Sequence, residues 1–291
     1  MTDSFETPSG KGMADENFPV GSFLIRPDLR RHVHTLYRFA RAADDIADNP
    51  DLQPDDKVER LAQMGAIIQG APGESPSAHL MRRSLDETGV TPQHCLDLLA
   101  AFTQDARKAR YRDWSELLGY CFLSAAPIGR HLLDLHGEGP GCRPAADALC
   151  NALQVVNHLQ DCGEDYRALD RVYLPTDDMA ATGARFEDLA GDRLTPALRQ
   201  VLDRVIRPLE GLLEECADIV RQVDDTRIAL ECQIIRNMCV RLTGRLKRED
   251  PLAARVTLSK PAAAGVAVGA LLGGLWRRRA RPAMPRMAMP S

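Results

Sequence analysis

Apolar residues recur three or four positions apart along most of the chain, which is the spacing of one face of an α-helix. The first such segment opens at Pro27, runs from Leu29 to Ala47 and stops at Asn49-Pro50. The same period predicts seven further helices. They cover 55–69, 76–88, 92–110, 113–136, 145–169, 195–223 and 227–247. No strand-like alternation lasts for long, so the pattern predicts an all-α protein.

Turn-forming residues separate these helices at 71–73, Gly89, 137–144 and 181–192. No repeat of fixed period divides the chain, and no linker separates two halves. We therefore predict one helical bundle over 17–260, preceded by a polar, frayed leader over 1–16. An apolar helix over 261–276 and a basic tail over 277–291 follow it.

Composition narrows the choice of function. The 291 residues carry a net charge of −4, so no overall basic field favours nucleic acid as a partner. The eight cysteines lack the spacing of a zinc site, and residues 1–16 contain no apolar run typical of a signal peptide, so we expect a cytoplasmic protein. The apolar stretch at 261–276 has about 16 residues, whereas a membrane-spanning helix needs about 20.

A polar stripe lies near the end of the first predicted helix. It consists of Tyr37, Arg41, Asp44 and Asp48. At 100° per residue these side chains fall within about 60° of one another. The two acids lie where the helix dipole penalises negative charge by about 0.3–1 kcal/mol each, so we expect a cation to compensate them. A solvated helix end is the alternative interpretation.

A second stripe lies about 117 positions further along the chain. Gln154, Asn157, Asp161 and Asp165 share one face of the predicted helix over 145–169, within about 80°. Gly163 interrupts this helix at a cost of about 1 kcal/mol relative to alanine, so we expect something to approach it closely. Arg167 follows, and it either binds an anion or pairs with Asp170 or Glu164.

If the two stripes face each other across the bundle, their carboxylates would repel one another and their pKa values would rise. Magnesium relieves such repulsion, because it binds through a few carboxylates together with water and phosphate oxygens. A di-iron site needs Glu-x-x-His, and this spacing is absent from the sequence, as are the P-loop and the G-x-G-x-x-G turn. The expected ligand is therefore a phosphorylated substrate with Mg²⁺.

The two stripes resemble the aspartate-rich motifs of the squalene and phytoene synthase family, in order and in spacing. Residues 120–130 resemble the helix between those motifs, and 171–175 resemble the segment after the second. The likeness covers roughly 17–260. It implies an isoprenoid-synthase domain, which is a helical bundle with a central active-site cavity. Segments 16–20, 111–114, 124–130 and 258–261, and the pairs 161–162 and 166–167, resemble the hopanoid-pathway branch of the family.

Resemblance to that branch implies a reaction. Mg²⁺-dependent ionisation of presqualene diphosphate, cation rearrangement and capture by water would give hydroxysqualene and diphosphate; no NADPH is expected. The implied metal ligands are Asp44, Asp48, Asn157, Asp161 and Asp165. The implied diphosphate-binding residues are Arg41, Arg171 and Asn17, and the implied catalytic residues are Tyr37 and Tyr120, at the boundary between diphosphate and hydrocarbon.

The sequence is compatible with two other functions. The first is a synthase that joins two prenyl diphosphates to presqualene diphosphate or phytoene, and the second is a non-catalytic helical scaffold at a membrane surface. The apolar helix and the arginines of the basic tail suggest peripheral contact with anionic lipid on the inner face of the membrane, and contact with pathway enzymes. A last core helix with a disordered basic tail is the alternative interpretation.

Overall fold

The computed structural model describes residues 5–6 and 24–279. These residues form twelve α-helices, and one isolated bridge between Arg110 and Val172 is the only β-pairing among them. The helices are α1 (Arg30–Asp48), α2 (Pro54–Ile68), α3 (Pro76–Thr88), α4 (Gln93–Asp105), α5 (Trp114–Ser124), α6 (Ala126–Leu135), α7 (Arg143–Leu169), α8 (Thr176–Thr182), α9 (Pro196–Glu215), α10 (Ile219–Gln222), α11 (Thr226–Leu246) and α12 (Lys260–Arg279). The predicted all-α class is confirmed.

Local sequence signals explain where several helices begin. Asp113 and Thr195 each accept a hydrogen bond from the backbone N–H three residues later, at the starts of α5 and α9. Asp225 accepts two such bonds at the start of α11. These side chains satisfy N–H groups that have no partner within the helix. Gly89 ends α3 in the left-handed conformation, with φ of 70°, which glycine adopts without strain.

Three predicted helices differ from the observed ones. The single helix predicted over 113–136 is two helices, because the chain breaks at Ala125 and Pro127 has no N–H to continue the ladder. The helix predicted over 195–223 ends at Glu215, and the short α10 follows. The helix predicted over 92–110 ends at Asp105. Helix α8 was not predicted, because seven residues are too few to show a period.

Two large clusters of buried residues make up most of the core, and a small third one lies between α11 and α12. Phe39, Met64 and Met81 belong to a buried cluster formed mainly by α1–α4. A larger cluster surrounds α7, where Val155 and Leu159 are fully buried. A cavity lies between the two large clusters, lined by residues of α1, α4, α5, α6 and α7 and by two residues that follow α7. The predicted central cavity is therefore present.

Helix α12 packs along α11 at one side of the bundle. Gly274 is buried there, and a β-carbon at this position would come within 2.8 Å of Leu230. Close approach of the two helices thus depends on small residues along one face of α12. None of the helices described is both long and apolar enough to cross a membrane.

Candidate active site

Both polar stripes line the central cavity, which has a volume of about 420 Å³. Helix α1 contributes Tyr37, Arg41, Asp44 and Asp48, and helix α7 contributes Gln154, Asn157, Asp161 and Asp165. The structure thus brings together two carboxylate pairs that lie more than a hundred residues apart in the sequence. The alternative interpretation of the first stripe, a helix end exposed to bulk solvent, does not describe this arrangement.

The acidic end of α1 is compensated by basic side chains. Arg41 pairs with Asp44 at 3.0 Å and with Asp45 at 2.8 Å. Lys57 of α2 donates to the carbonyl oxygen of Ala47 at 2.7 Å, which satisfies an acceptor in the last turn of α1. Burial, with the neighbouring carboxylate of Asp48, still raises the pKa of Asp44 to about 7.

The acids of α7, like those of α1, combine an ion pair with a raised pKa. Asp161 forms a bidentate ion pair with Arg255, with N–O distances of 2.5 and 2.7 Å. Burial, together with the carboxylate of Asp161, raises the pKa of Asp165 to about 7. The segment that contains Arg255 is held against α7 by Gln160, whose side-chain amide donates to the carbonyl oxygen of Val256.

Arg171 lies between the two stripes. Its side chain is 9% exposed and donates to Asp48 of α1 at 3.0 Å and to the backbone carbonyl of Asp105 at 3.3 Å. It also lies 3.8 Å from the Asp105 carboxylate. Burial opposes its charge, but Tyr173 and the two carboxylates outweigh burial and raise the pKa of Arg171. Arg171 therefore holds the end of α1 against the end of α7.

Asp105 is a cavity residue that the sequence analysis missed. Its side chain is 4% exposed and accepts hydrogen bonds from the hydroxyls of Tyr120 at 2.7 Å and Tyr173 at 3.4 Å. Burial raises the pKa of Asp105 to about 6, although Arg171 and Tyr120 act in the opposite direction. A signal was present, because Leu98, Phe102 and Asp105 recur on one face of α4, where an acid interrupts an apolar stripe.

Tyr120 belongs to an aromatic group at the wall of the cavity. Its ring lies 5.2 Å from that of Tyr111 and 5.4 Å from that of Tyr173, and His158 stacks on Tyr173 at 3.5 Å between ring centroids. Burial raises the pKa of Tyr120 and lowers the pKa of His158 to about 3. Near pH 7 the tyrosine hydroxyl is protonated and the imidazole is neutral.

The donor set of the cavity suits a hard divalent cation. Its oxygen donors are the carboxylates of Asp44, Asp48, Asp161 and Asp165 and the amide of Asn157. The raised pKa values of Asp44 and Asp165 show that negative charge is costly here, and a cation would remove that cost. In the described part of the chain no three acidic, histidine or cysteine side chains stand close enough to form a ready-made metal cluster. The roles of these residues as ligands stay predictions.

Three other sequence predictions have separate outcomes. Asn17 lies outside the described residues. The close approach expected at Gly163 is made by the protein itself, because a β-carbon there would lie 2.6 Å from the Leu252 side chain and 3.3 Å from the Leu189 carbonyl oxygen. Arg167 donates to that same carbonyl at 3.3 Å instead of pairing with Asp170 or Glu164.

Sequence comparisons point to one family. Residues 12–262 match the model of the squalene/phytoene synthase family. A hydroxysqualene synthase of Rhodopseudomonas palustris is 43% identical over 96% of this chain and 95% of its own length. A hydroxysqualene synthase of Zymomonas mobilis is 41% identical over 92% of this chain and 91% of its own length.

A solved structure supports the same assignment. The squalene synthase of Alicyclobacillus acidocaldarius superposes with a TM-score of 0.70 at 27% identity, and the match covers 80% of this chain and 88% of that one. A dehydrosqualene synthase, with a TM-score of 0.72 and 21% identity over 87% of this chain and 89% of that one, shares the fold. From the family match, the two close relatives and the cavity with its paired carboxylates, we conclude that this chain belongs to the squalene/phytoene synthase family.

Proposed function

We propose that this chain is a hydroxysqualene synthase. It would ionise presqualene diphosphate, allow the cyclopropylcarbinyl cation to rearrange, and let water capture the product cation, giving hydroxysqualene and diphosphate. The observation that carries the proposal is the single cavity in which the carboxylates of α1 and α7 meet the guanidinium groups of Arg41 and Arg171. The names of the relatives that are 41–43% identical support this member of the family.

Mg²⁺ is the proposed cofactor, held by Asp44, Asp48, Asn157, Asp161 and Asp165. When bound, it would neutralise charge on the departing diphosphate and so assist cleavage of the carbon–oxygen bond. No reductant is needed for this reaction, because water supplies the oxygen of the product and no hydride is transferred.

The two arginines of the cavity would bind the diphosphate itself. A guanidinium group presents a planar set of N–H donors that matches phosphate oxygens better than a single ammonium does. Arg41 is paired with Asp44 and Arg171 with Asp48. A bound diphosphate would therefore replace these carboxylates as the partner of the two guanidinium groups.

The hydrocarbon part of the substrate would lie against the apolar wall of the cavity. Ala40, Leu98, Phe102 and Ile128 line this wall, and a hydrocarbon chain packed against them would displace water from it. Tyr37 and Tyr120 lie among both polar and apolar lining residues, so their rings can face a cation while their hydroxyls remain near polar groups. The hydrogen bond from Tyr120 to Asp105 fixes the position of that ring.

Product identification tests the proposal. Purified protein is incubated with presqualene diphosphate and Mg²⁺, without reductant, and the lipid products are identified by mass spectrometry. Hydroxysqualene with an equal amount of diphosphate is expected. Formation of presqualene diphosphate or phytoene from two prenyl diphosphates, with no conversion of presqualene diphosphate, would overturn it in favour of a condensing synthase. No product from any of these diphosphates would favour a scaffold.

We also propose peripheral contact with an anionic bilayer through α12. Val268, Leu272 and Trp276 recur four positions apart on this helix, and the last two are 66% and 70% exposed. Helix α12 contains no acidic residue. Arg277 and Arg278 donate to backbone carbonyls near α10 and orient the helix, so the apolar stripe supplies most of the expected contact.

Vesicle sedimentation tests this contact. Leu272→Ser with Trp276→Ser should reduce sedimentation with anionic phosphatidylglycerol vesicles several-fold. Phe122→Ser, at an exposed apolar position on α5, is the matched control and should sediment like the unmodified protein. Unchanged sedimentation of the α12 double variant would contradict the contact. Such contact would place the enzyme where a preceding pathway enzyme could deliver a lipid substrate.

A further inference from the structure

A second cavity adjoins the central one. Its volume is about 510 Å³, and four residues belong to the walls of both cavities: Asp48, Asp105, Leu169 and Arg171. The ends of α1, α4 and α7 form this shared wall. Whatever binds beside Arg171 in the central cavity is therefore also next to the second cavity.

The two cavities differ in the sign of their lining charge. The central cavity has two cationic and five acidic side chains: Arg41, Arg171, Asp44, Asp48, Asp105, Asp161 and Asp165. The second cavity has five cationic and three acidic side chains: Lys57, Arg107, Lys108, Arg167, Arg171, Asp48, Asp105 and Asp170. In the absence of a divalent cation, an anion is therefore repelled by the first lining and attracted by the second.

Two of these cations lack a carboxylate partner. Lys57 donates to the backbone carbonyl of Ala47, and Arg167 donates to that of Leu189. Within residues 5–6 and 24–279, neither forms an ion pair with an acidic side chain. Their charges are thus available to an anion in the cavity.

The three acids of the second cavity already have basic partners, since Asp48 and Asp105 lie against Arg171. Asp170, which ends α7, binds Arg110 through its backbone carbonyl and, at 2.6 Å, through its carboxylate. The other two cations of the second cavity have partners outside its lining, since Arg107 pairs with Asp55 at 2.8 Å and Lys108 with Glu116 at 2.6 Å. Lys57 and Arg167 are therefore the candidates for binding an anion, and Arg171, although it is paired with Asp48, lies beside them on the wall that the two cavities share.

We propose that the second cavity binds inorganic diphosphate and forms the passage by which it leaves the central cavity. Arg171 would hold the ion from the shared wall, and Lys57 and Arg167, which line only the second cavity, would hold it there. This inference rests on the proposed function, because it needs a reaction that releases diphosphate in the central cavity. It adds a site for the released ion to the site where the substrate is cleaved.

Calorimetric titration of the full chain with sodium diphosphate in EDTA tests the site without catalysis. Under these conditions the acidic central cavity disfavours the ion, and the part of the binding that depends on Lys57 and Arg167 reports the second cavity. Lys57→Met and Arg167→Gln should each raise the dissociation constant at least about 10-fold, and Lys57→Arg, which keeps the charge, should bind nearly as the unmodified protein does. Arg204→Gln, at an exposed ion pair on α9 outside both cavities, is the control.

Several outcomes would overturn the proposal. The first is that the double variant Lys57→Met with Arg167→Gln binds diphosphate as tightly as the unmodified protein. The second is that Arg204→Gln weakens binding as much as the cavity variants do. The third is that the unmodified protein does not bind diphosphate without metal. Circular dichroism at 222 nm identifies variants that fail to fold, and Arg167→Gln alone keeps the test valid if Lys57→Met is one of them. Dimethylallyl diphosphate, titrated in parallel, should bind more weakly than the free ion; tighter binding would instead assign the cavity to a prenyl substrate.

Failure of this site is distinguishable from failure of the proposed function. If presqualene diphosphate is not converted, the reaction is wrong whatever the titration gives. If hydroxysqualene forms but metal-free diphosphate binding is insensitive to Lys57 and Arg167, only the passage is wrong. During turnover with Mg²⁺, the double variant should show a larger initial burst of bond cleavage relative to its steady-state rate, because release of the ion becomes slower.

Discussion

Replacing Arg171 by methionine tests whether this side chain compensates the buried carboxylates. The change leaves Asp105, whose side chain is 4% exposed, without the guanidinium 3.8 Å away. It also breaks the 3.0 Å pair with Asp48, which is 34% exposed. Removing one partner of a buried pair costs about 3–5 kcal/mol, whereas a partly exposed pair contributes about 1 kcal/mol or less.

The loss of unfolding free energy caused by Arg171→Met should be larger at high pH than at low pH. The pKa of Asp105 is already raised to about 6 by burial, and loss of Arg171 raises it further. Above pH 6, folding of the variant must therefore either bury an uncompensated carboxylate or take up a proton, whereas below pH 5 the carboxyl group is protonated in both proteins. We expect a loss in the free energy of unfolding of about 3–4 kcal/mol at pH 8 and about 1 kcal/mol at pH 5.

Urea unfolding followed by circular dichroism at the two pH values measures this difference. The double variant Arg171→Met with Asp105→Asn completes a mutant cycle and should be more stable at pH 8 than the sum of the two single losses allows. The reasoning is refuted if the loss caused by Arg171→Met is the same at pH 5 and pH 8, or if the two substitutions are additive.

Three further predictions follow from other parts of the structure. Asp44→Asn and Asp161→Asn should each lower the rate of diphosphate release about 100- to 1,000-fold, as should EDTA, whereas Asp203→Asn at an exposed pair on α9 should not; near-normal rates would contradict a metal-binding role. Gly163→Ala should destabilise the fold by about 1–3 kcal/mol in thermal unfolding, because the added β-carbon meets Leu252 and the Leu189 carbonyl. Gly211→Ala, where no atom lies near the added β-carbon, should instead stabilise α9 by about 0.5–1 kcal/mol. A change of the same sign at both sites would contradict this account of the packing at Gly163. Burial lowers the pKa of the fully buried His131 to about 4, so between pH 6.5 and pH 4 this imidazole is protonated in the unfolded protein but neutral in the folded one. As the pH falls through this range, the unmodified protein should therefore lose up to about 3 kcal/mol of unfolding free energy relative to His131→Leu. Parallel curves of stability against pH for the two proteins would contradict this.

Most helices were predictable, because their signals are local. The apolar period and the capping residues identified α1–α3, α7 and α11 to within a few residues, and they identified where α4 and α9 begin but not where these two helices end. The break between α5 and α6 was missed although Pro127 marks it, since the apolar period continues across the break. The two polar stripes were predictable for the same reason, as each is a spacing within one helix.

Site residues that come from other segments were harder to predict from the sequence. Asp105 could have been found from its place on the apolar face of α4. Arg255 could not, because it lies in an irregular segment after α11 whose position depends on Gln160 and on packing against α7. The Asp161–Arg255 pair joins positions 94 residues apart, and no local pattern in the sequence specifies such a pair.

By itself the sequence determined the all-α class, the two carboxylate stripes and the kind of ligand that they suit. These properties follow from the 3.6-residue period and from side-chain chemistry, which act over a few residues. The tertiary structure alone decided that the stripes meet in one cavity, that Arg171 and Asp105 lie between them, and that a second, basic cavity adjoins it. Such relations depend on how distant helices pack, and the burial created by that packing is what shifts the pKa values of Asp44, Asp105 and Asp165.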